Sequence, residues 1–236
     1  MNINEELKSV WEKDYINQLP GFVKDRGFVY SVNDSAKDIL ITGINPSYRD
    51  GEEPTSFDFD FQKLLYREKW DNYWGQVKKL LYDNENNIDN RSKCAYLDIF
   101  YFREKNQKQL RNGILKCAEG VQFLVDQLKI SQRVIEQIIR PKVILVKNME
   151  SAVYWGKYCD NGIIWMGYQL EKINTLNCGE LFKISGLKES SERISPEITE
   201  TNLMGSLILF TGHINQYTKR EKRPTAKLID DLLKMY

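Results

Sequence analysis

Short runs of consecutive apolar residues alternate along this chain with longer stretches in which apolar residues recur at helical spacing. Parallel strands that are covered on both faces read as continuous apolar runs rather than as alternating ones. The pattern therefore predicts an α/β fold with a central, mainly parallel sheet between helices. The predicted strands are residues 39–42, 94–102, 142–146 and 206–210.

Helical periodicity predicts the elements between these strands, and turn formers mark their ends. Pro20 and Gly21 end an opening amphipathic helix. Ser131 is predicted to cap a restart of the helical stretch that precedes Pro141, and Asn148 to cap a short helix. The remaining predictions are helical stretches over 57–82, with a break near Lys69 to Asn72, and over 110–139 and 224–235. Residues 163–185 are predicted to form a hairpin or two strands, and residues 186–202 a loop.

Charge and histidine content narrow the classes of function. The chain has 236 residues, with 34 lysines and arginines against 33 aspartates and glutamates, and a net charge of +1 exerts no global attraction on DNA. Any affinity for nucleic acid has to come from a local patch. The single histidine, His213, excludes histidine-rich metal sites and mechanisms that need two imidazoles. The length fits a single domain, predicted over 1–236, with residues 1–38 as a helical extension packed on it.

Cysteine spacing and hydropathy exclude further classes. The four cysteines form no Cys-x-x-Cys pair, so we expect reduced thiols, no zinc or iron–sulfur site and no cofactor. No apolar stretch approaches the length of a membrane span, and the first residues are too acidic and polar for a signal peptide. We therefore predict a cytoplasmic monomer without a membrane partner.

Candidate site residues follow the predicted strands, because ligands of open parallel sheets bind at the carboxyl ends of the strands. Each has an ordinary structural explanation when taken alone. Asn-Pro after glycine is a common turn, Asp98 could cap a helix or pair with Arg103, and a histidine near a strand end is usually structural. Their placement at successive strand ends is what indicates one shared pocket: Gly43 to Tyr48, Asp98, Lys147 with Asn148, and Thr211 to Gln216.

The run ILITGINPS resembles the first motif of the uracil-DNA glycosylase superfamily, in particular the mismatch-specific uracil and thymine glycosylases with Gly-Ile-Asn-Pro. Later segments keep the family's order: YWGQVKKLL is similar to its aromatic helix, CAYLDIFYFR to its base-reading strand and LILFTGHINQYT to its final loop. The final loop lacks the family's Pro-Ser, and Asp98 stands where the best-studied branch has asparagine. The resemblance implies a three-layer α/β/α fold with a central, mainly parallel four-stranded sheet.

The resemblance also implies an activity, that of a monofunctional DNA N-glycosylase of base-excision repair. Such a hydrolase removes a damaged, deaminated or mismatched base, uracil or a related one, from double-stranded DNA after flipping it out. Asn45 would hold the attacking water, and His213 would donate a hydrogen bond to the departing base. Because an amide orients water but cannot take its proton, this chemistry is expected to be slow. The residues implied to contact the base or its phosphate are Gly43, Ile44, Pro46, Ser47, Tyr48 and Asp98.

Asp98 changes the expected substrate. An asparagine both donates and accepts hydrogen bonds, whereas an ionised aspartate only accepts them. We therefore expect a base that presents N–H or amino donors to be a better substrate than uracil. Tyr48, Phe57 and Phe59 are the candidates to stack on the flipped base, and each is also an ordinary core aromatic by pattern.

The final loop runs into a cluster of basic residues, where the neutral overall charge hides a local excess. By resemblance this loop enters the duplex, with Ile214 or Tyr217 as the wedge and the basic side chains on phosphates. A solvated basic turn before the last helix is the alternative. The DNA-binding residues predicted here are Ile214, Asn215, Tyr217, Lys219, Arg220, Lys222 and Arg223.

Two other functions stay open. One is a catalytically weak or inactive module that binds nucleic acid or a base on the same fold, which the altered final loop and Asp98 favour. The other is a different α/β hydrolase or transferase in which Gly-Ile-Asn-Pro is merely a turn. A Ser-His-Asp mechanism has little support, because Ser47 lacks the Gly-x-Ser-x-Gly context of a nucleophile elbow.

Overall fold

The fold consists of short strands and helices, which the computed structural model describes over residues 2–49, 51–69, 71–105 and 108–236. Its strands are β1 (Val29–Ser31), β2 (Ile39–Gly43), β3 (Phe57–Phe59), β4 (Tyr82–Asp83), β5 (Ile88–Asp89), β6 (Cys94–Asp98), β7 (Val143–Val146), β8 (Tyr168–Leu176), β9 (Gly179–Leu187) and β10 (Leu207–Thr211). Its α-helices are α1 (Ile3–Trp11), α2 (Gly21–Arg26), α3 (Phe61–Tyr66), α4 (Trp74–Lys78), α5 (Lys108–Asn112), α6 (Gly120–Arg133), α7 (Ala152–Trp155) and α8 (Ala226–Met235). A π-helical turn, Val134–Ile139, continues α6, and 3₁₀ helices cover Asp14–Gln18, Arg91–Lys93, Ile114–Lys116, Met149–Ser151, Cys159–Asn161 and Arg220–Lys222.

The central sheet has six strands in the order β6-β2-β7-β10-β9-β8. Its first four strands pair in parallel, and β9 and β8 extend one edge as an antiparallel hairpin. The register places Gly43 beside Asp98 and Thr42 beside Val146, so the carboxyl ends of neighbouring strands meet at one edge. The predicted α/β class and mostly parallel sheet are confirmed, whereas the sheet has six strands and not the four that the resemblance implies.

Both faces of the sheet are buried, which explains the continuous apolar runs. Alternate residues of a strand point to opposite faces. Leu40 and Ile144 accordingly pack in a core cluster that includes Leu7 of α1 and Phe123 of α6. Their neighbours along the strands, including Ile41 and Leu145, pack in a second cluster with residues of α3 and α8. Helices thus flank the parallel strands and leave only the strand ends to form a site.

The segment predicted as a helix over 57–82 differs from the prediction. It begins with β3, which pairs in parallel with β1. Phe57, Asp58 and Phe59 alternate apolar and polar, which is the period of a strand rather than of a helix. The side chain of Asp60 then caps α3 by accepting from the amide N–H of Lys63 at 3.1 Å. The first 38 residues likewise contain β1 in addition to the predicted helices, and Leu7 and Val23 are fully buried there.

Two predicted helix caps have different outcomes. Ser131 lies inside α6 and does not restart a helix, because its hydroxyl donates to the carbonyl of Ile99 at 2.8 Å and finds its partner in the core. Asn148 is a cap as predicted, with Oδ1 accepting from the amide of Glu150 at 2.8 Å. The predicted hairpin is also present, as β8 and β9. Within the described part of the chain, none of the helices has the length and apolar character needed to cross a bilayer.

Candidate functional site

A cleft of about 680 Å³ opens at the carboxyl edge of the four parallel strands. Every one of these strands contributes to it, as expected from the sequence: Gly43 to Ser47 follow β2, Asp98 ends β6, Lys147 and Asn148 follow β7, and His213 follows β10. Parallel pairing brings these residues together although they are distant in the chain. The wall is completed by side chains that include Phe57, Phe59, Tyr73, Trp74, Tyr96 and Arg103.

Asn45 is held in place by the backbone around it. Its Nδ2 donates to the carbonyls of Pro46 at 3.2 Å and Phe102 at 3.4 Å. The loop itself is fastened to the segment after β6, because the amide of Glu104 donates to the Pro46 carbonyl and the amide of Tyr48 to the Glu104 carbonyl. Since both side-chain bonds use Nδ2, Oδ1 is the amide atom that can accept a hydrogen bond from water.

Asp98 lies on the floor of the cleft and does not pair with Arg103. The guanidinium of Arg103 instead binds the Glu52 carboxylate at 2.7 Å, and Asp98 Oδ1 accepts from the hydroxyl of Tyr96 at 2.9 Å. Burial raises the pKa of the Asp98 carboxyl to about 6, although the charge of Lys147 and the Tyr96 hydrogen bond act in the opposite direction. Asp98 is therefore mostly ionised at neutral pH and becomes protonated in mild acid.

Asp98 ends a chain of hydrogen bonds that crosses the cleft. Lys147 Nζ donates to the hydroxyl of Tyr73 at 2.6 Å, and this hydroxyl lies 2.7 Å from that of Tyr96. Nζ also lies 4.3 Å from the ring centroid of Tyr73 and 5.0 Å from that of Tyr96. Two tyrosine hydroxyls thus separate the lysine from Asp98 and hold both ends of the chain in fixed positions.

His213 stands at the exposed mouth of the cleft. Partial desolvation of the imidazole and the charge of Lys147 both lower its pKa. The imidazole is therefore neutral at neutral pH and offers one N–H donor and one acceptor nitrogen. A neutral imidazole therefore keeps the one N–H that the donor role implied by the resemblance requires of His213.

The three aromatic candidates for stacking differ in their surroundings. Tyr48 does not line the cleft, because its ring lies between the guanidinium groups of Arg26 and Arg103, at 4.7 and 4.8 Å from its centroid. Phe59 packs against Trp74 with ring centroids 5.5 Å apart. Phe57 lines the cleft and is 45% exposed, and the guanidinium of Arg103 lies over its ring, 5.1 Å from the centroid.

The predicted DNA-binding loop is divided between exposed and structural residues. Ile214 cannot be the wedge, because it is only 5% exposed and packs in the core cluster that contains Ile229. Tyr217, in contrast, is 83% exposed. Asn215 holds the turn by accepting from the amide of Tyr217 at 2.8 Å. The exposed basic residues of the loop are Lys219, Arg220 and Lys222.

Arg223 does not belong with those exposed cations. Its guanidinium donates to Gln76 Oε1 at 2.6 Å and to the carbonyls of Thr218 and Gln216 at 2.6 and 2.9 Å. These bonds fasten the end of the loop to α4. We therefore correct its predicted role from a phosphate contact to a structural one.

Some of the residues that build the cleft are not assigned a role by the sequence. Lys147 follows the apolar run of β7 directly, and a charged residue at that point is a detectable signal, but no motif gives it a function. Tyr73 lies in a stretch that is helical by pattern, and only the tertiary structure brings its hydroxyl to Lys147. The burial of Arg103 could not be predicted from the local sequence either, since its hydrogen-bond partners lie about 50 residues away in the chain.

No family model, curated protein or solved structure matches this chain. The cleft's own geometry and the resemblance of its motifs are therefore the observations that bear on its function.

Proposed function

We propose that this protein is a DNA glycosylase-like hydrolase with a three-layer α/β/α, uracil-DNA glycosylase-like fold. It removes a damaged, deaminated or mismatched base from DNA by attack of water at the sugar. The observation that carries the proposal is that Asn45, Asp98 and His213 come from three different strand ends and line one cleft. A cleft of about 680 Å³ has room for a nucleoside, which is the unit that a base-flipping enzyme takes out of the duplex.

Asn45 and His213 supply the two elements that N-glycosyl hydrolysis needs. Breaking the bond between sugar and base passes through an oxocarbenium-like transition state, in which the base gains negative charge. Asn45 Oδ1 orients a water toward the sugar while its Nδ2 stays bound to the backbone. The neutral imidazole of His213 donates its N–H to the base. Since no general base acts on the water, the enzyme is slow and favours good leaving groups.

Asp98 selects the base. Its Oδ1 already accepts the Tyr96 hydroxyl, so the other carboxylate oxygen is the acceptor presented to the ligand. An acceptor pairs with an N–H or amino group and repels a carbonyl edge. Bases that offer a donor there are therefore better substrates than uracil, and Phe57 stacks on the ring of the flipped base.

DNA is the proposed partner, bound through the final loop. Tyr217 is the exposed side chain that enters the base stack, and Lys219, Arg220 and Lys222 contact phosphates. The protein acts as a monomer and needs no cofactor in this mechanism.

The proposal is tested by incubating the protein with duplexes that carry uracil, hypoxanthine, a thymine mismatch or other modified bases, followed by alkaline cleavage of abasic sites. We expect strand cleavage that is lost in Asn45→Ala and kept in Asn17→Ala, which changes an exposed amide in the first 3₁₀ helix. Salt-dependent binding without cleavage would establish a binding module instead. Neither binding nor cleavage would leave Gly-Ile-Asn-Pro as a turn in a different α/β enzyme.

A further inference from the structure

Lys147 is a buried charged residue of the cleft to which neither the motifs nor the proposed mechanism gives a role. It follows β7 and is only 5% exposed, yet it lines the cleft together with His213 and Asp98. Moving an ammonium group out of water is costly unless an anion and hydrogen-bond acceptors replace the water. The surroundings of its Nζ therefore indicate what the site is built to receive.

The protein supplies no direct counter-ion for this ammonium. Within the described residues, no carboxylate lies within 4 Å of Lys147 Nζ, in contrast to Lys157, which pairs with Glu180. The contacts of Nζ are the Tyr73 hydroxyl and the faces of the Tyr73 and Tyr96 rings. A hydroxyl and two rings compensate only part of the lost hydration. Asp98 interacts electrostatically with Lys147, but two tyrosine hydroxyls lie between the two groups and the carboxylate does not contact Nζ.

The next residue in the chain adds a second donor without a partner. Asn148 is buried, and its Oδ1 caps the following helix. Its Nδ2 is fully buried and makes no hydrogen bond among the described residues, and Asn148 is one of the residues that line the cleft. An unpaired buried donor costs about 1–3 kcal/mol. Two adjacent residues at the cleft thus carry donor capacity that no described protein group satisfies.

We propose that Lys147 is a further catalytic residue, the fixed cation that stabilises the negative charge of the departing base. This assignment rests on the proposed glycosylase function and deepens it. His213 is neutral and offers one N–H, whereas Lys147 brings a full positive charge deeper in the same cleft. The Tyr73 hydroxyl holds Nζ in position and is itself bonded to that of Tyr96, so the charge is preorganised before the reaction begins.

The step is balanced without any co-reactant. The bond between C1′ and the base nitrogen breaks, and its electron pair stays on the base. The oxygen of the water held by Asn45 forms a bond to C1′, and the proton that this water loses ends on the released base anion. Lys147 remains protonated throughout and binds the anion only as a hydrogen-bond donor and a charge.

The first test compares Lys147→Met with Lys142→Met in single-turnover excision. Lys142 precedes the same strand but is half exposed and paired with Asp38, which makes it a matched control. The substrates are uracil and 5-fluorouracil, or hypoxanthine and xanthine, each pair in one duplex context. Loss of one donor to a developing anion lowers rates about 100-fold or more. We expect that loss for the poorer leaving group of each pair, a smaller loss for the more acidic base, and no change in the control.

Two results would overturn the assignment of Lys147. One is an equal loss of excision rate for both members of a pair, and the other is no loss of rate. Thermal unfolding separates catalysis from folding: because Met has a similar length and the ammonium it replaces contacts no carboxylate, Lys147→Met should keep a Tm close to that of the wild type. A large fall in its Tm together with a uniform loss of rate would give Lys147 a structural role instead.

A second test does not depend on cleavage. Binding of the free bases is measured at one fixed pH for uracil against 5-nitrouracil and for hypoxanthine against xanthine, where the second member ionises more readily. We expect the wild-type protein to bind the more acidic member about 10-fold more tightly, and Lys147→Met to lose this preference. Glycosylase activity can be absent while this preference is present, which would reject the proposed function and keep Lys147 as an anion receptor. Absence of the preference in the wild type overturns the Lys147 proposal whatever the activity.

Discussion

Gly43 and Asp98 face each other across the paired strands β2 and β6, and the carboxyl group of Asp98 occupies the space that a side chain at position 43 would fill. A Cβ on Gly43 would overlap Asp98 Oδ1 and lie 3.0 Å from the Tyr96 hydroxyl. The glycine of Gly-Ile-Asn-Pro is therefore needed for the position of the cleft's carboxylate, and not for a turn.

Gly43→Ala should consequently move Asp98 and break its bond to Tyr96. Overpacking of this kind costs about 1–3 kcal/mol, and the flexible carboxylate is the group that gives way. We expect a folded protein with a modestly lower Tm and a changed pKa of Asp98, measured by carboxyl-carbon NMR. Gly162→Ala is the control, because a Cβ there meets no atom within 4 Å. An unchanged Asp98 resonance in Gly43→Ala would contradict the steric argument.

The raised pKa of Asp98 predicts how stability depends on pH. Its value of about 6 in the folded protein lies above the ordinary value of 3.8, so the folded state holds this proton more tightly than the unfolded chain. The contribution of this group to stability is present below about pH 4 and is lost as the pH rises through about 6. The difference between the two pKa values corresponds to about 3 kcal/mol at most.

Asp98→Asn removes this titration. Between about pH 4 and 6 we expect denaturant unfolding of the wild type to show a downward slope of stability that the variant lacks. Above that range the variant should be the more stable protein. If the free energy of unfolding depended on pH in the same way in both proteins, the Asp98 carboxylate would be hydrated in the folded state.

Substitution of Asn45 tests whether the reaction is slow because an amide cannot accept a proton from the attacking water. Asn45→Asp supplies a carboxylate that can accept the water's proton, but it loses the two Nδ2 hydrogen bonds to the carbonyls of Pro46 and Phe102. General base catalysis contributes about 100-fold or more, which outweighs that loss. We expect faster single-turnover excision in Asn45→Asp and loss of excision in Asn45→Ala. The neutral control is Asn17→Ala. Equal rates for aspartate and asparagine would mean that activation of the water does not limit the reaction.

The exposed cations of the final loop predict the salt dependence of DNA binding. Each phosphate contact contributes about 0.9 to the slope of log K against log salt concentration, so Lys219→Gln with Arg220→Gln should reduce the slope by about 2. Lys227→Gln with Lys234→Gln is the matched control, because these lysines lie on α8 and pair with Asp231 and Asp230. An unchanged slope in the loop variant would remove the cluster from the interface.

Arg223 should behave differently from those neighbours. Arg223→Gln breaks the bonds to Gln76 and to two loop carbonyls, and loss of a hydrogen-bonded charge of this kind costs about 1–3 kcal/mol. We expect a lower Tm in the absence of DNA, measured beside Lys222→Gln as the exposed control. A Tm equal to that of Lys222→Gln would argue against the anchoring role.

The sequence predicts the parallel strands well because a strand that is buried on both faces appears as a short run of consecutive apolar residues. Four apolar runs mark β2, β6, β7 and β10, and the residues after each run line the cleft. The helix predicted for Phe57 and Phe59 is wrong. The alternation of apolar and polar residues in β3 covers only three positions, and the residues that follow have helical spacing. Its pairing with β1 is a contact between segments 28 residues apart, which no local pattern encodes.

Side-chain roles in the site are less predictable than its location. Ile214 and Tyr217 are both large residues of one loop, and only packing against Ile229 and its neighbours shows that Ile214 is buried. Tyr73 joins Lys147 to Tyr96 through contacts over 74 and 23 residues of chain. Such contacts are set by tertiary structure, and residue type alone does not reveal them.

The position of β10 in the sheet has a consequence for folding. It is the last strand in the chain, yet it lies between β7 and β9, so the hairpin of β8 and β9 reaches the parallel strands only through it. Contacts of such large sequence separation form slowly, because loop closure precedes the gain in free energy. His213 follows β10 by two residues. We therefore expect the sheet to be completed late in folding, and His213 to reach the cleft in the same step.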